Sequence, residues 1–376
     1  MNADLIEVLR FFVRLGFTSF GGPAAHIALM RAELVTRRKW VTEQEFLDLL
    51  GAANLIPGPN STELAMHLGY RRAGWPGLVV AGAGFIIPAA IIVLAFSWAY
   101  VAYGTTPPAR ALLYGVQPVV IVIVAQALVG LGRVAIKDRL TAMLAALVLL
   151  GTTLGAGELA LLLLSGVVAV AWRHWRTLGL RGLAALPFGP TLASLAGAAP
   201  FNQFELFTTF LKIGSVLYGS GYVLLAFLQS DFVDRLGWLT NQQLLDAVAV
   251  GQVTPGPVFT TATFVGYILG GWTGAGVATL GIFLPAFVFV ALSIPLFERA
   301  RRSPLVAAAL DGVTAASLAL MAVVAARLAF EAVVDPLTLC LAAACAALLW
   351  RTRVNPTWLI LGGGLVGLLQ LAALNG

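Results

Sequence analysis

The tripeptide Pro57-Gly58-Pro59 recurs as Pro255-Gly256-Pro257, 198 residues further along a chain that is otherwise overwhelmingly apolar. Pro and Gly are the least tolerated residues in a helix interior, so each copy is expected to split a helix in two. A split helix exposes N–H and C=O groups, which hydrocarbon tolerates only where protein or a wet cavity faces them. Two such breaks related by an internal repeat are the best sequence pointer to a transporter's substrate site. The solvent follows from composition: 60% of the 376 residues are hydrophobic and 11% charged, against about 25% charged in a soluble domain. The chain therefore reads as a polytopic membrane protein.

The repeat extends well beyond the tripeptide. At the same offset Gly16 meets Gly214, Gly21 meets Gly219, Trp40 meets Trp238, Thr42 meets Thr240 and Asp48 meets Asp246. One residue is then lost, after which Gly69-Tyr70 meets Gly266-Tyr267, Gly74-Trp75 meets Gly271-Trp272, and Pro88 meets Pro285. This is an internal duplication. Thr42-Glu-Gln-Glu45 and Thr240-Asn-Gln-Gln243 each read as a capping box opening a short helix that ends at Pro-Gly-Pro. A second short helix follows the first break, from about Asn60 to Tyr70. Limbs of roughly 11–14 residues reach ~16–21 Å, too short for a ~30 Å hydrocarbon core, so the pair is expected to form a re-entrant hairpin. Apolar runs near spanning length lie at roughly 5–30, 76–100, 110–132, 203–228, 273–297, 305–327 and 356–375, with shorter ones near 140–153, 157–172 and 336–350. The expected fold is all-α, with about five spans plus a broken re-entrant hairpin per half. An N-terminal repeat would cover 1–181, a Pro/Gly-containing linker 182–202, and a C-terminal repeat 203–376.

Charge gives the relative orientation of the halves. The first half carries its basic residues at Arg31/Arg37/Arg38/Lys39, Arg71/Arg72 and Arg133/Lys137/Arg139, and the equivalent second-half loops are nearly bare. In the second half the basic loops are Arg299/Arg301/Arg302 and Arg351/Arg353. Under the positive-inside rule, equivalent loops then face opposite sides, which defines an inverted-topology repeat. Both termini fall outside, and the Arg173–Arg181 connector is cytoplasmic. The same rule accounts for the net charge of +6 without nucleic acid as a partner. The only cysteines, Cys340 and Cys345, sit in an apolar run with no His or acidic neighbour, so neither a disulfide nor a metal site is expected. No Walker motif, metal-ligand cluster or nucleophile elbow occurs. An enzyme is not expected, nor a cofactor.

The first long run contains its own break, Phe20-Gly21-Gly22-Pro23, whose copy is Tyr218-Gly219-Ser220-Gly221. Each break starts a new half-helix, and a helix N-terminus offers free N–H groups and about half a positive charge to an oxyanion. The candidate substrate-binding set is therefore Gly21, Gly22, Pro23, Pro57, Gly58, Pro59, Asn60 and Ser61, with Gly219, Ser220, Gly221, Pro255, Gly256 and Pro257 in the second half. Arg14 and Lys212 occupy the same repeat position and either lend field to an anion or snorkel to opposite interfaces. Asn54 and Gln252 place an amide at the end of each first limb, for substrate or for capping. Thr62 and Thr260 place hydroxyls after the breaks. Glu63 has no acidic counterpart; it is either part of an Asn60-x-x-Glu63 cap or a proton carrier. His26 is a second proton-carrying candidate, with a packed histidine as the plainer reading. Asp48 and Asp246 are read as residues that favour a helix N-terminus.

With Gly16-Phe-Thr-Ser-Phe-Gly-Gly-Pro23, Trp40, Asn54-Leu-Ile-Pro-Gly-Pro59 and the second Pro-Gly-Pro in view, the chain resembles the chromate ion transporter family, in its long two-domain form. That resemblance implies a secondary transporter of the bacterial cytoplasmic membrane that exports chromate and confers chromate resistance, with dependence on protons or membrane potential. It also implies homologous halves of opposite orientation. Chromate is isosteric with sulfate, so a sulfate or other oxyanion transporter stays open, as does an anion channel on the same scaffold. Membrane lipid is the expected surroundings, and a homodimer is compatible with the reading.

Overall fold

The computed structural model describes residues 3–178, 200–218, 221–301, 303–352 and 354–375. Among them the chain runs helix after helix, with no strand. The first half consists of α1 (Ala3–Thr18), α2 (Gly22–Met30) with a π-helical turn (Arg31–Arg37), α3 (Glu43–Ala53), α4 (Asn60–Tyr103), α5 (Pro107–Ala135), α6 (Arg139–Thr153) and α7 (Glu158–Leu178). The second repeats the order as α8 (Gln203–Val216), α9 (Leu224–Leu228) with a π-helical turn (Gln229–Arg235), α10 (Asn241–Val253), α11 (Thr261–Arg301), α12 (Pro304–Ala332), α13 (Pro336–Arg351) and α14 (Pro356–Asn375). Among the described residues five segments are long and apolar enough to cross a membrane, within α4, α5, α11, α12 and α14. The chain is an all-α polytopic membrane protein.

Local chemistry sets the ends of these helices. The Thr42 side chain accepts from the Glu45 N–H while Glu45 accepts from the Thr42 N–H, and Thr240 and Gln243 do the same for α10. Asp138 with Thr141, and Asp335 with Thr338, form the same box at α6 and α13. The two longest helices each contain a reversal. Backbone dihedrals leave the helical region at Ala73–Gly74 and Gly270–Gly271, with Gly74 at φ 65° and Gly271 at φ 61°, a region where only glycine is comfortable. The two limbs of α4 then meet face to face: a Cβ on Gly69 would lie 2.3 Å from the Gly77 carbonyl oxygen. Eight residues of straight helix would separate these glycines by ~12 Å, so the chain has turned back on itself. Gly266 and Gly274 make the same contact in α11. The expected second limb of each hairpin is thus present and runs directly into the following long helix.

The halves do not pack as two separate bundles. α1 lies on α4 and α8 on α11, and α4 packs against α11 at the centre. Beyond that the partners are exchanged: α5 packs against α13 and α14, while α12 packs against α6 and α7. These exchanged pairings are reciprocal between the halves, whereas α10 also packs against α5 without a matching pairing of α3 with α12 among the described residues. Ionic clamps tie each first helix to its π-helical turn. Glu7 takes Arg38, Arg72 and the Trp40 indole, and Glu33 takes Arg37 and Arg38. In the second half Glu205 takes Arg235, and Asp231 takes Arg235 and Lys212.

Candidate functional site

The Pro-Gly-Pro loops do not dock within their own halves. The Gly58 N–H donates to the Leu217 carbonyl (2.8 Å), and the Gly256 N–H donates to the Ser19 carbonyl (2.9 Å). Leu217 is the repeat counterpart of Ser19, so each loop is stitched across the molecule to the helix break of the other half. Both glycines have positive φ, 139° at Gly58 and 90° at Gly256. Both are also crowded: a Cβ on Gly58 would lie 2.2 Å from Glu63 Oε1, and one on Gly256 2.4 Å from the Ala89 Cβ. The prolines flanking each glycine remove N–H groups that would otherwise need partners here. Tyr218 adds a third stitch by donating its hydroxyl to the Asn54 carbonyl.

Beside this crossing lies a cavity of about 360 Å³. Its walls are Gly21, Pro23, Ala24 and Ile27 from the first break and α2, and Pro59, Asn60 and Ser61 from the start of α4. The second half contributes Gly221, Val258 and Phe259, and α5 closes it with Ala127, Gly130 and Leu131. Three of the four sequence breaks line it, through Gly21 and Pro23, Pro59, and Gly221, while the second Pro-Gly-Pro borders it through the residues that follow, Val258 and Phe259; Gly219 and Ser220 lie outside the described residues. Among the described residues no ionisable side chain lines the space, and the polar side chains that do are Asn60 and Ser61. At ~30 Å³ per water it holds roughly a dozen waters, enough for a four-oxygen anion with part of its hydration. At the start of α4 the Pro59 carbonyl takes the Thr62 and Glu63 N–H groups, which leaves those of Asn60 and Ser61 without a partner inside the helix; in α2 Pro23 has no N–H to offer, and both N-termini border this space.

Behind the lining, buried polar groups fix its shape. His26 Nε2 lies 3.2 Å from the Ser19 carbonyl and Nδ1 lies 3.3 Å from Ser61 Oγ. A carbonyl only accepts, so Nε2 carries the proton and the Ser61 hydroxyl donates to Nδ1. His26 thereby ties the first helix break to the first turn of α4, and the Phe85 ring stacks edge-on against it. Asn60 Nδ2 donates to Asn54 Oδ1 at 2.6 Å, which closes the first Pro-Gly-Pro turn. In the second copy the Thr260 hydroxyl donates to the Pro257 carbonyl. Glu63 is fully buried against Gly58, and neither carboxyl oxygen has a partner among the described residues; Thr62 Oγ1 and Ser19 Oγ share that state.

Of the sequence candidates, then, Gly21, Pro23, Pro59, Asn60, Ser61 and Gly221 line one cavity, with Gly22 between lining neighbours. Pro57, Gly58, Pro255, Gly256 and Pro257 form the crossing beside it, and Asn54, Thr62, Glu63, His26 and Thr260 buttress it. Gln252 reaches a small neighbouring pocket that shares Gly221 and Val258 with the cavity. The structure does not bring Arg14 or Lys212 to the site: Arg14 is exposed and Lys212 pairs with Asp231 at 2.5 Å. The α5 wall had no signal in the sequence. Asp246 was legible only as a helix-start acid, yet it is 2% exposed and held by Tyr100 and Gln117 of the first half.

A cavity walled by interrupted helices from both halves of a chain of long apolar helices fits a multi-pass membrane transporter. The relatives agree with that class and specify it. The chromate transporter family model matches residues 6–171 and 204–368, one match in each repeat, and the chain belongs to that family. It is 33% identical to a chromate transport protein of Cupriavidus metallidurans, over 99% of this chain and 94% of that one. It is 34% identical to a chromate transport protein of Pseudomonas aeruginosa, over 95% and 90%, and 33% identical to a probable chromate transport protein of Synechococcus elongatus, over 84% and 82%. No solved structure matches the chain.

Proposed function

We propose that this protein is a secondary transporter that exports chromate, or a tetrahedral dianion of the same shape, across the bacterial cytoplasmic membrane. The observation that carries the reading is the uncharged cavity between the halves, where the N-termini of α2 and α4 converge with the start of the second Pro-Gly-Pro limb. Neutral donors suit a transported anion: an oxyanion is stabilised by several N–H dipoles of about half a charge without the tight ion pair that would hinder release. Asn60 and Ser61 add side-chain donors, and His26 sets the Ser61 hydroxyl.

The charge asymmetry of the loops supports an inverted threading, with the cavity toward the cytoplasmic end of α5; the expectation of an outside N-terminus is corrected, because Asp4 and Glu7 pair with Arg72 and Arg38 of the basic loops. Alternating access then comes from one repeat moving against the other about the crossing. Glu63 is the proton carrier in this scheme, because a carboxylate buried there without a partner has no compensation for its charge. Binding of chromate to purified protein, competed by sulfate, tests the substrate class: mutual competition abolished by N60A/S61A supports the site, and binding that survives the double substitution removes it. The directions of flux in everted and right-side-out vesicles separate export from import. A bilayer conductance far above carrier turnover would make the protein a channel instead.

A further inference from the structure

Three carboxylates among the described residues are almost wholly buried, and they differ in company. Asp231 is locked by two cations, Lys212 and Arg235. Glu63 has no described partner. Asp246 is held by neutral groups alone: Tyr100 Oη at 2.8 Å, Gln117 Nε2 at 2.9 Å and Gln242 Nε2 at 3.5 Å. Three other ionisable groups on elements packed against α10 have partners of their own. Tyr114 of α5 donates to Asp335, Glu331 of α12 accepts from Asn241, and Arg327 of α12 pairs with Asp234 of the π-helical turn.

We infer that Asp246 is a second proton-carrying residue of the transport cycle, loaded from the membrane face opposite the cavity. The partners are of the kind that serves both protonation states. A tyrosine hydroxyl and a glutamine amide each hold a donor and an acceptor, so a protonated Asp246 can donate to the Tyr100 oxygen after a simple rotation. An arginine or lysine in the same place would fix the negative charge. A metal cation is a poor fit, because hard cations need several oxygen ligands and two of the three partners direct N–H groups at the carboxylate.

Position makes the group useful. Asp246 lies six residues inside α10 from its exposed cap at Thr240, ~9 Å along the helix, and six residues before Gln252, which borders the pocket next to the cavity. Its two strongest partners sit on α4 and α5 of the other repeat, so a change in its charge acts on contacts between the parts that must move. The equivalent Asp48 is only half-buried, so the two positions differ in burial.

This inference rests on the transport reading for its purpose, not for its first test. Infrared difference spectra of the purified protein, recorded across a pH titration, should contain a protonated-carboxyl band that D246N removes and Y100F shifts in midpoint. Spectra unchanged by D246N would overturn the proposal whatever the protein carries. In proteoliposomes, D246N should lose chromate accumulation driven by a pH gradient while keeping chromate counterflow at equal pH on both sides. Retained gradient-driven accumulation also overturns it, as does loss of counterflow with the titrating band still present. Wild-type protein that moves neither chromate nor sulfate would sink the functional reading and leave the spectroscopic result standing.

Discussion

The two Pro-Gly-Pro hairpins share a backbone and differ in almost everything attached to it. Both glycines hold positive φ, both donate across the molecule to equivalent carbonyls, and both first limbs open on a Thr capping box. After Pro59 the chain enters an α-helix at once, whereas after Pro257 it passes through a 3₁₀ turn, Val258–Thr260. The first hairpin carries Asn54 and Glu63, with His26 of α2 set against it; the second has Gln252, Thr260 and the buried Asp246. The duplicated part is therefore the frame that breaks the helices and crosses the halves. The polar side chains attached to that frame have diverged. A pair of identical hairpins would make a symmetrical hole; the divergence gives the site two chemically distinct sides.

Substitution of the crossing glycines should produce the largest effects and should separate the copies. G256A forces alanine into φ 90° and drives its Cβ into Ala89, so strain plus overpacking is expected to cost roughly 2–5 kcal/mol. G58A meets the end of the flexible Glu63 side chain, which can swing, so about 1–3 kcal/mol of strain remains. Thermal unfolding in detergent should rank G256A below G58A, and A89G should recover the packing part of the G256A loss. Equal stability of G256A and wild type would mean that the loop does not cross as described. Next in size is E63Q, which should abolish flux driven by a pH gradient while chromate binding persists. Normal coupled flux in E63Q proteoliposomes would take Glu63 out of the cycle.

The fold was legible to an unusual degree, because membrane helices announce themselves by length and because the duplication supplied each element twice. Thr42 and Thr240 marked the hairpin starts, whereas Gly74 and Gly271, where the chain reverses, stood out only as matched positions of the repeat. The exchange of α5 and α12 between halves was not legible, since apolar helices carry no label for their partners. Arg14 and Lys212 drew attention as symmetric cations, but hydrophobic periodicity says nothing of Asp231, which takes Lys212 for itself. Asp246 illustrates the converse. Its sequence neighbours suggest a cap, and only the packing of α10 against α4 and α5 buries it.

Smaller effects should follow from the buttress that only the first hairpin has. H26A frees Ser61 Oγ from its orienting contact and leaves the Ser19 carbonyl with the Gly256 N–H alone. A single hydrogen bond of this sort contributes about 0.5–1.5 kcal/mol, so chromate affinity should fall roughly threefold to tenfold. H26N, which keeps a donor and an acceptor, should recover part of it. An affinity in H26A equal to wild type would mean that Ser61 needs no support to bind the anion.

The smallest expected effect lies far from the hairpins, at the capping boxes of α6 and α13, where the halves again diverge. Asp138 accepts from the Thr141 N–H and from Arg173, which in turn bonds Asp311 of the other half. Its counterpart Asp335 accepts from the Thr338 N–H and from the neutral Tyr114. Backbone hydrogen bonding, followed by Arg173, holds the Asp138 carboxyl down at about 2, against an ordinary 3.8. A lowered carboxyl stabilises the folded state above its unfolded value, and that contribution fades as pH falls from 3.8 towards about 2. Asp138 is partly exposed, so the contribution is screened and modest. Wild-type unfolding temperature should therefore dip over that acid window, and D138N should flatten the dip more than D335N, whose partner carries no charge. High salt should narrow the gap between the two variants by screening Arg173. Equal responses of the two variants would mean that the backbone cap, common to both halves, sets the whole effect and that Arg173 adds nothing to it.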